Sequence, residues 1–249
     1  MTRYIAPSTR QAVRAVLFDV FGTVVDWRTG VASAVRAFAD ARGVTLDPEA
    51  FADGWRSQYQ PSMERVRSGQ RPYATLDALH RENLEPVLRD QGLDPGDIPL
   101  DQLDALVNAW HFLPPWPDSV AGVRQLKRDF IVGPLSNGNT ALLVDMAKAA
   151  ALEWDVILGS DVSRAYKPSP EAYLAPGRLL GLEPGEVMLV AAHNADLASA
   201  REAGLATGYV PRPAEFGPHQ HRNLAPTGDW DVLAGSITDL AGRLAPTPS

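Results

Sequence analysis

The chain of 249 residues contains no cysteine. This absence excludes disulfide frameworks, thiol nucleophiles, iron–sulfur clusters and cysteine zinc sites. The sequence also lacks any apolar run of about 18 residues, so it predicts no transmembrane helix. Residues 1–14 include three arginines but no apolar segment, so no signal peptide is predicted. We therefore expect a cytoplasmic protein.

Basic residues are in the minority, because 23 Lys and Arg face 30 Asp and Glu, which gives a net charge of −7. Bulk attraction to nucleic acid or to an anionic membrane is therefore not expected. A small basic pocket for an anionic substrate is still compatible with this balance. Hydrophobic residues make up 45% of the chain, which indicates a folded core rather than disorder.

Short apolar runs alternate with helical patterns along most of the chain. This alternation predicts an α/β fold with a doubly wound, Rossmann-like parallel sheet. The predicted strands are 15–18, 130–135, 156–158, 187–190 and 206–210. The predicted helices between them are 139–151, 169–181 and 195–203. Strands that are apolar throughout are typical of a sheet buried on both faces.

Residues 29–114 show helical patterns and no convincing strand. We interpret them as a helical cap inserted into a core formed by residues 1–28 and 115–249. One helix is predicted to start at Asp47, with Phe51, Trp55 and Tyr59 along one stripe, and Pro61 is expected to kink or end it. Two more helices are predicted at 75–91 and 100–112.

Polar residues cluster where the apolar runs of the predicted core stop. They are Asp19, Ser136, Asn137, Lys167 and Asp196. In open parallel sheets, ligands bind outside the carboxyl ends of the strands. The sequence therefore predicts that these groups meet in one crevice.

Asp19 directly follows the first predicted strand, and Gly22 permits a tight turn after it. An ordinary Asp side chain is ionised near neutral pH, so this carboxylate is able to act as a nucleophile. Taken alone, the residue is equally compatible with a helix N-cap or a structural ion pair.

Four segments in this order resemble the motifs of the haloacid dehalogenase superfamily. They are Phe18-Asp19-Val20-Phe21-Gly22-Thr23, Leu135-Ser136-Asn137-Gly138, Lys167-Pro168 and His193-Asn194-Ala195-Asp196-Leu197. The resemblance covers roughly residues 14–213 and includes the position of the inserted cap. The second and third segments look most like the L-2-haloacid dehalogenase branch.

The sequence departs from the superfamily pattern because two positions that usually carry acidic residues do not carry them here. Most members are magnesium-dependent phosphatases with a second Asp two residues after the nucleophile, where this chain has Phe21. They also have two acids in the fourth motif, where this chain has Ala191-Ala192 and then only Asp196. A halide leaves as a stable anion and requires no general acid. These absences therefore favour dehalogenation without a metal or an organic cofactor.

The resemblance implies a two-step reaction. Asp19 displaces the halide and forms an aspartyl ester, and water activated by Asp196 then hydrolyses this ester. His193 or Asn194 positions the water. His193 occupies the position where the branch usually has Asn. Ala191 replaces a serine of the branch, and Ala195 replaces a Trp that lines the alkyl pocket.

Substrate-binding roles also follow from the resemblance. Ser136 and Lys167 are expected to hold the substrate carboxylate, assisted by backbone N–H groups near Val20 and Phe21. Thr23 is expected to hold the nucleophile loop, and Tyr173 to line the site. For Tyr173, an ordinary aromatic position on a helix is an equally good interpretation.

The halide is expected to bind at Arg56, within Trp55-Arg56 in the cap, with Asn137 as its partner. His193 is a second candidate halide ligand. Arg65 and Arg67 lie nearby in the sequence and are alternatives to Arg56, and a solvated helix arginine is the ordinary role for all three.

The implied partner is a small halogenated carboxylate, and the resemblance suggests a homodimer. The runner-up function is a magnesium-dependent phosphatase or phosphonatase of the same superfamily. A third hypothesis is a catalytically silent binding protein on this scaffold.

Overall fold

The computed structural model describes residues 13–245. The ends of the predicted core, residues 1–12 and 246–249, lie outside the described residues, as does most of the segment from which a signal peptide was excluded. The described chain forms a five-stranded sheet in which every pair of neighbours is parallel. The strands are β1 (Ala15–Phe18), β2 (Ile131–Pro134), β3 (Val187–Ala191), β4 (Ala206–Tyr209) and β5 (Val232–Leu233).

The strand order is β2-β1-β3-β4-β5, which confirms the doubly wound core. From β1 the chain first adds β2 on one side and then crosses to add β3 on the other. The strand order therefore reverses between β1 and β3, and such a reversal opens a crevice at the carboxyl ends of these strands. Asp19 follows β1 and His193 follows β3, so both residues lie at this switch point.

One predicted strand is wrong. Residues 156–158 form only an isolated bridge, from Leu158 to Leu135, beside the edge strand β2. The ladder is interrupted because the N–H of Val132 donates to the Asp155 side chain at 3.0 Å. The carbonyl of Val132 accepts the backbone N–H groups of Asp155 and Val156 instead. The short edge strand β5, which is real, was not predicted.

The predicted helical insertion lies between β1 and β2 and is confirmed. Its helices are α1 (Trp27–Arg42), α2 (Pro48–Ser57), α3 (Tyr59–Arg67), α4 (Leu76–Asp90) and α5 (Leu100–Asn108), followed by a 3-10 turn, Ala109–His111. The cap boundaries at residues 29 and 114 stay a prediction.

The break between α2 and α3 comes before Pro61. Asp47 caps α2 by accepting the N–H of Ala50, and Pro48 is its first residue. The helix ends at Ser57, so Tyr59 begins the next helix instead of extending the stripe of Phe51 and Trp55. Pro61 then sits in the first turn of α3, where its missing N–H costs no helical hydrogen bond.

Six helices complete the described core. They are α6 (Ser119–Leu126), α7 (Thr140–Ala149), α8 (Ser160–Ser163), α9 (Pro170–Leu179), α10 (Asn194–Glu202) and α11 (Ile237–Leu244). The predicted helices at 139–151, 169–181 and 195–203 correspond to α7, α9 and α10. No helix among residues 13–245 is long and apolar enough to cross a membrane.

The side chains of the strands alternate between two buried clusters. Val16 and Phe18 of β1 pack with the larger cluster, which includes α6, α7, α11 and the cap. Ala15 and Leu17 pack on the opposite face with α9 and α10. Both faces of β1 are thus covered, which is why its sequence is apolar throughout.

Candidate active site

A cavity of about 870 Å³ lies between the carboxyl ends of the strands and the cap. The core contributes Asp19, Asn137, Lys167, Tyr173, His193 and Asp196 to its walls, and the cap contributes Trp27, Arg56, Tyr59 and Arg67. This volume is typical of a pocket for a small molecule. Most of the chemically active residues expected from the sequence therefore meet in one place.

The carboxylate of Asp19 receives donors on both oxygens. Oδ2 accepts the hydroxyl of Thr23 at 2.8 Å and lies 2.9 Å from Nδ1 of His193. Oδ1 accepts Nζ of Lys167 at 3.3 Å. Burial opposes ionisation, but the ammonium of Lys167 and the His193 and Thr23 hydrogen bonds outweigh it, so the pKa of Asp19 is held well below its usual 3.8. Asp19 is therefore an anion at neutral pH.

The loop after Asp19 is shaped by Gly22, whose φ of 89° favours glycine. Thr23 holds this loop to β3, because its Oγ1 also accepts the N–H of Ala192 at 2.9 Å. The backbone N–H groups of Val20 and Phe21 have no hydrogen-bond acceptor within residues 13–245. They are therefore available to an anionic ligand, while the side chain of Val20 is buried in the core.

Lys167 joins the two carboxylates of the site. Its Nζ donates to Oδ2 of Asp196 at 2.7 Å as well as to Asp19. Burial disfavours the ammonium, but the two carboxylates raise the pKa of Lys167, so it stays charged. Oδ1 of Asp196 accepts the hydroxyl of Tyr173 at 2.7 Å. Tyr173 therefore contacts a site carboxylate directly and is more than an ordinary helix aromatic.

Asp196 differs from Asp19 in its basicity. Burial raises the pKa of Asp196, and the neighbouring Asp19 carboxylate adds to this effect against the opposing pull of Lys167. A carboxylate with a raised pKa binds a proton more readily than an ordinary one. The two acids are thus held in different states by their surroundings, which is a common arrangement for a nucleophile and a base.

Both ring nitrogens of His193 are engaged. Nδ1 faces Asp19, and Nε2 lies 2.9–3.0 Å from both carboxylate oxygens of Glu215. The predicted roles in halide binding or water positioning both need a free nitrogen, so they do not fit this geometry. Burial opposes protonation, but Glu215 and then Asp19 raise the pKa of His193 to about 10. His193 is a partly buried cation that lies between two carboxyl groups.

Arg56 occupies the cap wall of the cavity among aromatic rings. Its guanidinium carbon lies 3.9 Å from the ring centre of Tyr59, 5.3 Å from Trp27 and 5.8 Å from Phe21. Its Nη1 is buried and has no hydrogen-bond partner in the described part of the chain. Such a cation, held by ring faces rather than by a carboxylate, is suited to receive an anion.

Arg67 also reaches the cavity, but its guanidinium is already used. It pairs with Glu64 at 2.8 Å and donates to the carbonyl of Lys167 at 2.9 Å. Arg65 is exposed and does not line the cavity. Of the three candidate arginines, Arg56 therefore has the geometry of an anion ligand.

Asn137 lines the cavity, but it is not directly bonded to Arg56. Its Oδ1 accepts the N–H of Lys167 at 2.8 Å and so fixes the backbone that presents the ammonium. Arg56 lies over the ring of Tyr59 instead. The predicted pairing of Asn137 with Arg56 stays a prediction.

Four predicted site residues do not line the cavity, namely Val20 and Thr23 of the loop after Asp19, Ser136 and Asn194. Ser136 Oγ accepts the N–H of Gly138 at 3.2 Å and lies at a separate small cleft with Leu158 and Ser160. Asn194 is buried, its Oδ1 accepts N–H groups of Thr227 and Trp230, and its Nδ2 donates to the carbonyl of Ala225. These bonds anchor a neighbouring loop, so the prediction of water positioning by Asn194 is corrected. Ser136 is seen only as an acceptor within residues 13–245, and substrate binding by it stays a prediction.

The arrangement does not fit a magnesium ion. Mg²⁺ requires near-octahedral oxygen coordination. Here the ammonium of Lys167 lies between Asp19 and Asp196, and positions that often supply further oxygen ligands or acids are occupied by Phe21 and Ala192. Positive charge at these carboxylates is thus supplied by the protein itself.

Glu215 is the main site residue that the sequence analysis missed. It lies in the loop after β4 and is fully buried, and its Oε1 accepts Nε1 of Trp27 at 3.1 Å. It belongs to none of the four motifs, and it follows a Pro-rich segment without a periodic pattern. The sequence contains no local signal that places it beside His193.

A family model described as haloacid dehalogenase-like hydrolase matches residues 13–204. The chain belongs to the haloacid dehalogenase-like hydrolase family. Among curated relatives, an (S)-2-haloacid dehalogenase from Xanthobacter autotrophicus is 31% identical over 206 residues, which are 80% of this chain and 76% of that protein. The enzymatic family and the fold expected from the four motifs are confirmed.

Solved structures within this family are closely similar to the chain. A defluorinating L-2-haloacid dehalogenase is 58% identical, with a TM-score of 0.94 and coverage of 98% of this chain and 99% of that chain. A second L-2-haloacid dehalogenase is 47% identical, with a TM-score of 0.89 and coverage of 93% and 98%. The chain therefore has the same overall fold as these two enzymes.

Proposed function

We propose that the protein hydrolyses short 2-haloalkanoic acids, including haloacetates such as fluoroacetate, to 2-hydroxy acids through an ester on Asp19. The observation on which the proposal rests is that a negative and a positive side chain face each other across one cavity. An anionic nucleophile lies on the core wall, and Arg56 lies on the cap wall with a buried Nη1 that has no hydrogen-bond partner among residues 13–245. A substrate with a carboxylate and a leaving halide is suited to the space between them.

In the first step, Asp19 attacks the carbon next to the substrate carboxylate. The new carbon–oxygen bond forms as the carbon–halogen bond breaks, and the halide takes the bonding electron pair. Lys167 and the free N–H groups of Val20 and Phe21 hold the substrate carboxylate, and Arg56 receives the halide. A chiral carbon is inverted by this displacement. Binding in the cavity supplies much of the acceleration through orientation.

In the second step, water attacks Cγ of Asp19. Asp196 accepts one proton from the water and returns it to the hydroxy acid oxygen as the ester bond to Cγ breaks. The remaining carboxylic proton on Asp19 passes to solvent, because the pKa of Asp19 is far below neutral pH. The raised pKa of Asp196 makes it suitable as this base.

Halide release in EDTA tests the proposal with fluoroacetate, chloroacetate and both enantiomers of 2-chloropropionate as substrates. We expect release without added metal and a preference for one enantiomer. Asp19→Asn is expected to abolish it, with peptide mass spectrometry confirming that the new Asn has not deamidated. Normal turnover by undeamidated Asp19→Asn would refute the ester.

Other outcomes point to the remaining hypotheses. If no haloacid releases halide, and magnesium stimulates phosphate release from phosphorylated substrates, the result would support a phosphatase or phosphonatase. Haloacid binding without any turnover would support a silent binding protein. The homodimer and the cytoplasmic location stay predictions and are checked separately by light scattering and cell fractionation.

A further inference from the structure

The contacts of His193 extend the site beyond the four motifs. The ring lies between Asp19, which follows β1, and Glu215, which lies after β4. Both contacts are close to 2.9 Å. The bond to Glu215 therefore fixes the ring orientation that directs Nδ1 towards the nucleophile.

Packing and hydrogen bonds fix the position of Glu215 itself. Its carboxylate is buried against Gly22, where any Cβ would overlap Oε1. Its backbone N–H donates to the carbonyl of Arg212, and Arg212 is fixed by Asp118 at 2.7 Å and by the carbonyl of Thr23 at 2.8 Å. The loop that follows Asp19 and the loop that carries Glu215 therefore pack directly against each other.

The two oxygens of Asp19 have different surroundings. Oδ2 is bonded by two donors, Thr23 and His193, at 2.8 and 2.9 Å. Among residues 13–245, Oδ1 has only the longer contact to Lys167, at 3.3 Å. Oδ1 is therefore the freer nucleophile. Once Oδ1 forms the ester, Oδ2 is its carbonyl oxygen, and the negative charge develops on Oδ2 when water attacks.

We propose that Glu215 is a positioning residue that holds His193 as a charged donor to Oδ2, so that His193 and Thr23 stabilise the oxyanion of ester hydrolysis. This inference rests on the proposed function and assigns His193 to the second step rather than to the halide. Donors aimed at a developing oxyanion in a dry site are among the strongest catalytic devices known.

The charge of His193 depends on groups from three directions. Glu215 and Asp19 face its two nitrogens, the ammonium of Lys167 lies beyond Asp19, and Asp196 lies on its own helix, α10. The pKa of His193 is raised to about 10, with Glu215 as the largest favourable cause against burial. His193 therefore donates throughout the neutral range and loses its proton as the pH rises through about 10.

The test is Glu215→Gln, with Glu153→Gln as the matched control at a surface ion pair with Arg124. Rapid quench with chloroacetate measures the first burst of halide, and intact-protein mass spectrometry measures the carboxymethyl ester. We expect the burst to change by less than about threefold and ester hydrolysis to slow roughly ten- to hundredfold. The ester then accumulates in Glu215→Gln but not in the control.

The pH profile separates positioning from a merely structural role. In the unmodified protein, ester hydrolysis is expected to be constant through neutral pH and to fall as pH rises through about 10. In Glu215→Gln this fall moves to lower pH, because the carboxylate that most favours the charged imidazole is gone. A lower rate with an unmoved profile would overturn the assignment.

Glu215→Asp is the second variant if Glu215→Gln does not fold. It keeps a carboxylate but shortens the side chain by one methylene, which withdraws it from Nε2 of His193, and it is expected to slow ester hydrolysis more than halide release. Equal slowing of both steps, or no change in either, contradicts the inference. Halide release without any ester on Asp19 in the unmodified protein would instead refute the proposed function itself, so the two failures are distinguishable.

Discussion

The two walls of the cavity handle charge in opposite ways. On the core wall, the charges of Asp19, Asp196 and Glu215 are each met by Lys167 or His193. On the cap wall, Arg56 is surrounded by the rings of Tyr59, Trp27 and Phe21. On the core wall every named charge has a partner before any substrate arrives, whereas the Arg56 cation on the cap wall has a buried Nη1 without a hydrogen-bond partner among residues 13–245.

This difference indicates how the work of the reaction is divided. Paired charges keep the nucleophile ionised and oriented, and groups that are oriented in advance do not need to rearrange during the reaction. An aromatic cage holds a guanidinium without neutralising it, which preserves its attraction for a departing halide. The core wall is therefore suited to bond formation and the cap wall to halide capture.

Of the variants that test this difference between the walls, Arg56→Lys is expected to have the largest effect, because it keeps the charge of the cap wall but loses the planar group that the rings hold. We expect kcat/KM for chloroacetate to fall roughly ten- to hundredfold. Inhibition by added chloride or bromide should weaken as well, because the same group binds the product. Steady-state halide release with and without added salt measures both.

Arg65→Lys is the matched control, since Arg65 is exposed on the adjacent helix. It should behave as the unmodified protein does. Equal losses in both variants would show that the cap merely tolerates lysine poorly, and an unaffected Arg56→Lys would remove Arg56 from the halide site.

A smaller effect is expected where the cap meets the core. His111 lies 3.1 Å from Asp77 of α4 and 2.9 Å from Asp145 of α7, and Asp77 also bonds Asn139. Burial opposes the charged form, but the two carboxylates raise the pKa of His111. This contribution to stability is complete below the unfolded pKa of about 6.5 and is lost as pH rises through the folded pKa.

His111→Gln is therefore expected to lower Tm by about 2–4 °C at pH 6 and by less at pH 9. The cost is at most about 1 kcal/mol, because Asp145 is half exposed and solvent screens the pair. Thermal unfolding by circular dichroism measures it, with His219→Gln as the exposed control. A loss in Tm that is larger at pH 9 than at pH 6 would contradict a stabilising charge interaction of His111 with Asp77 and Asp145.

The parts of the site that were predictable are tied to local sequence. Asp19 was predicted from a strand end and a short motif, and Lys167 from a short motif, because the backbone next to these residues fixes where they point. Glu215 depends on a contact with His193 that joins two loops across the sheet. Nothing in the residues beside Glu215 encodes that contact, so the sequence alone did not reveal it.

The errors have the same physical origin. Asn194 is next to His193 in the sequence, but its side chain turns to the carbonyl of Ala225 and away from the cavity. Residues 156–158 have a strand-like composition, yet the Asp155 side chain replaces a ladder hydrogen bond at the sheet edge. Composition indicates which residues prefer burial or extension, but tertiary hydrogen bonds decide where each one is used.

A single turnover in water enriched in heavy oxygen, with enzyme in excess over chloroacetate, tests the central claim most directly. The ester route places the heavy oxygen in the carboxylate of Asp19 and leaves the hydroxyl of the product unlabelled, because that oxygen comes from Asp19. Mass spectrometry of the peptide with Asp19 and of the product distinguishes the two. Label in the product of the first turnover, with none in Asp19, would contradict the account.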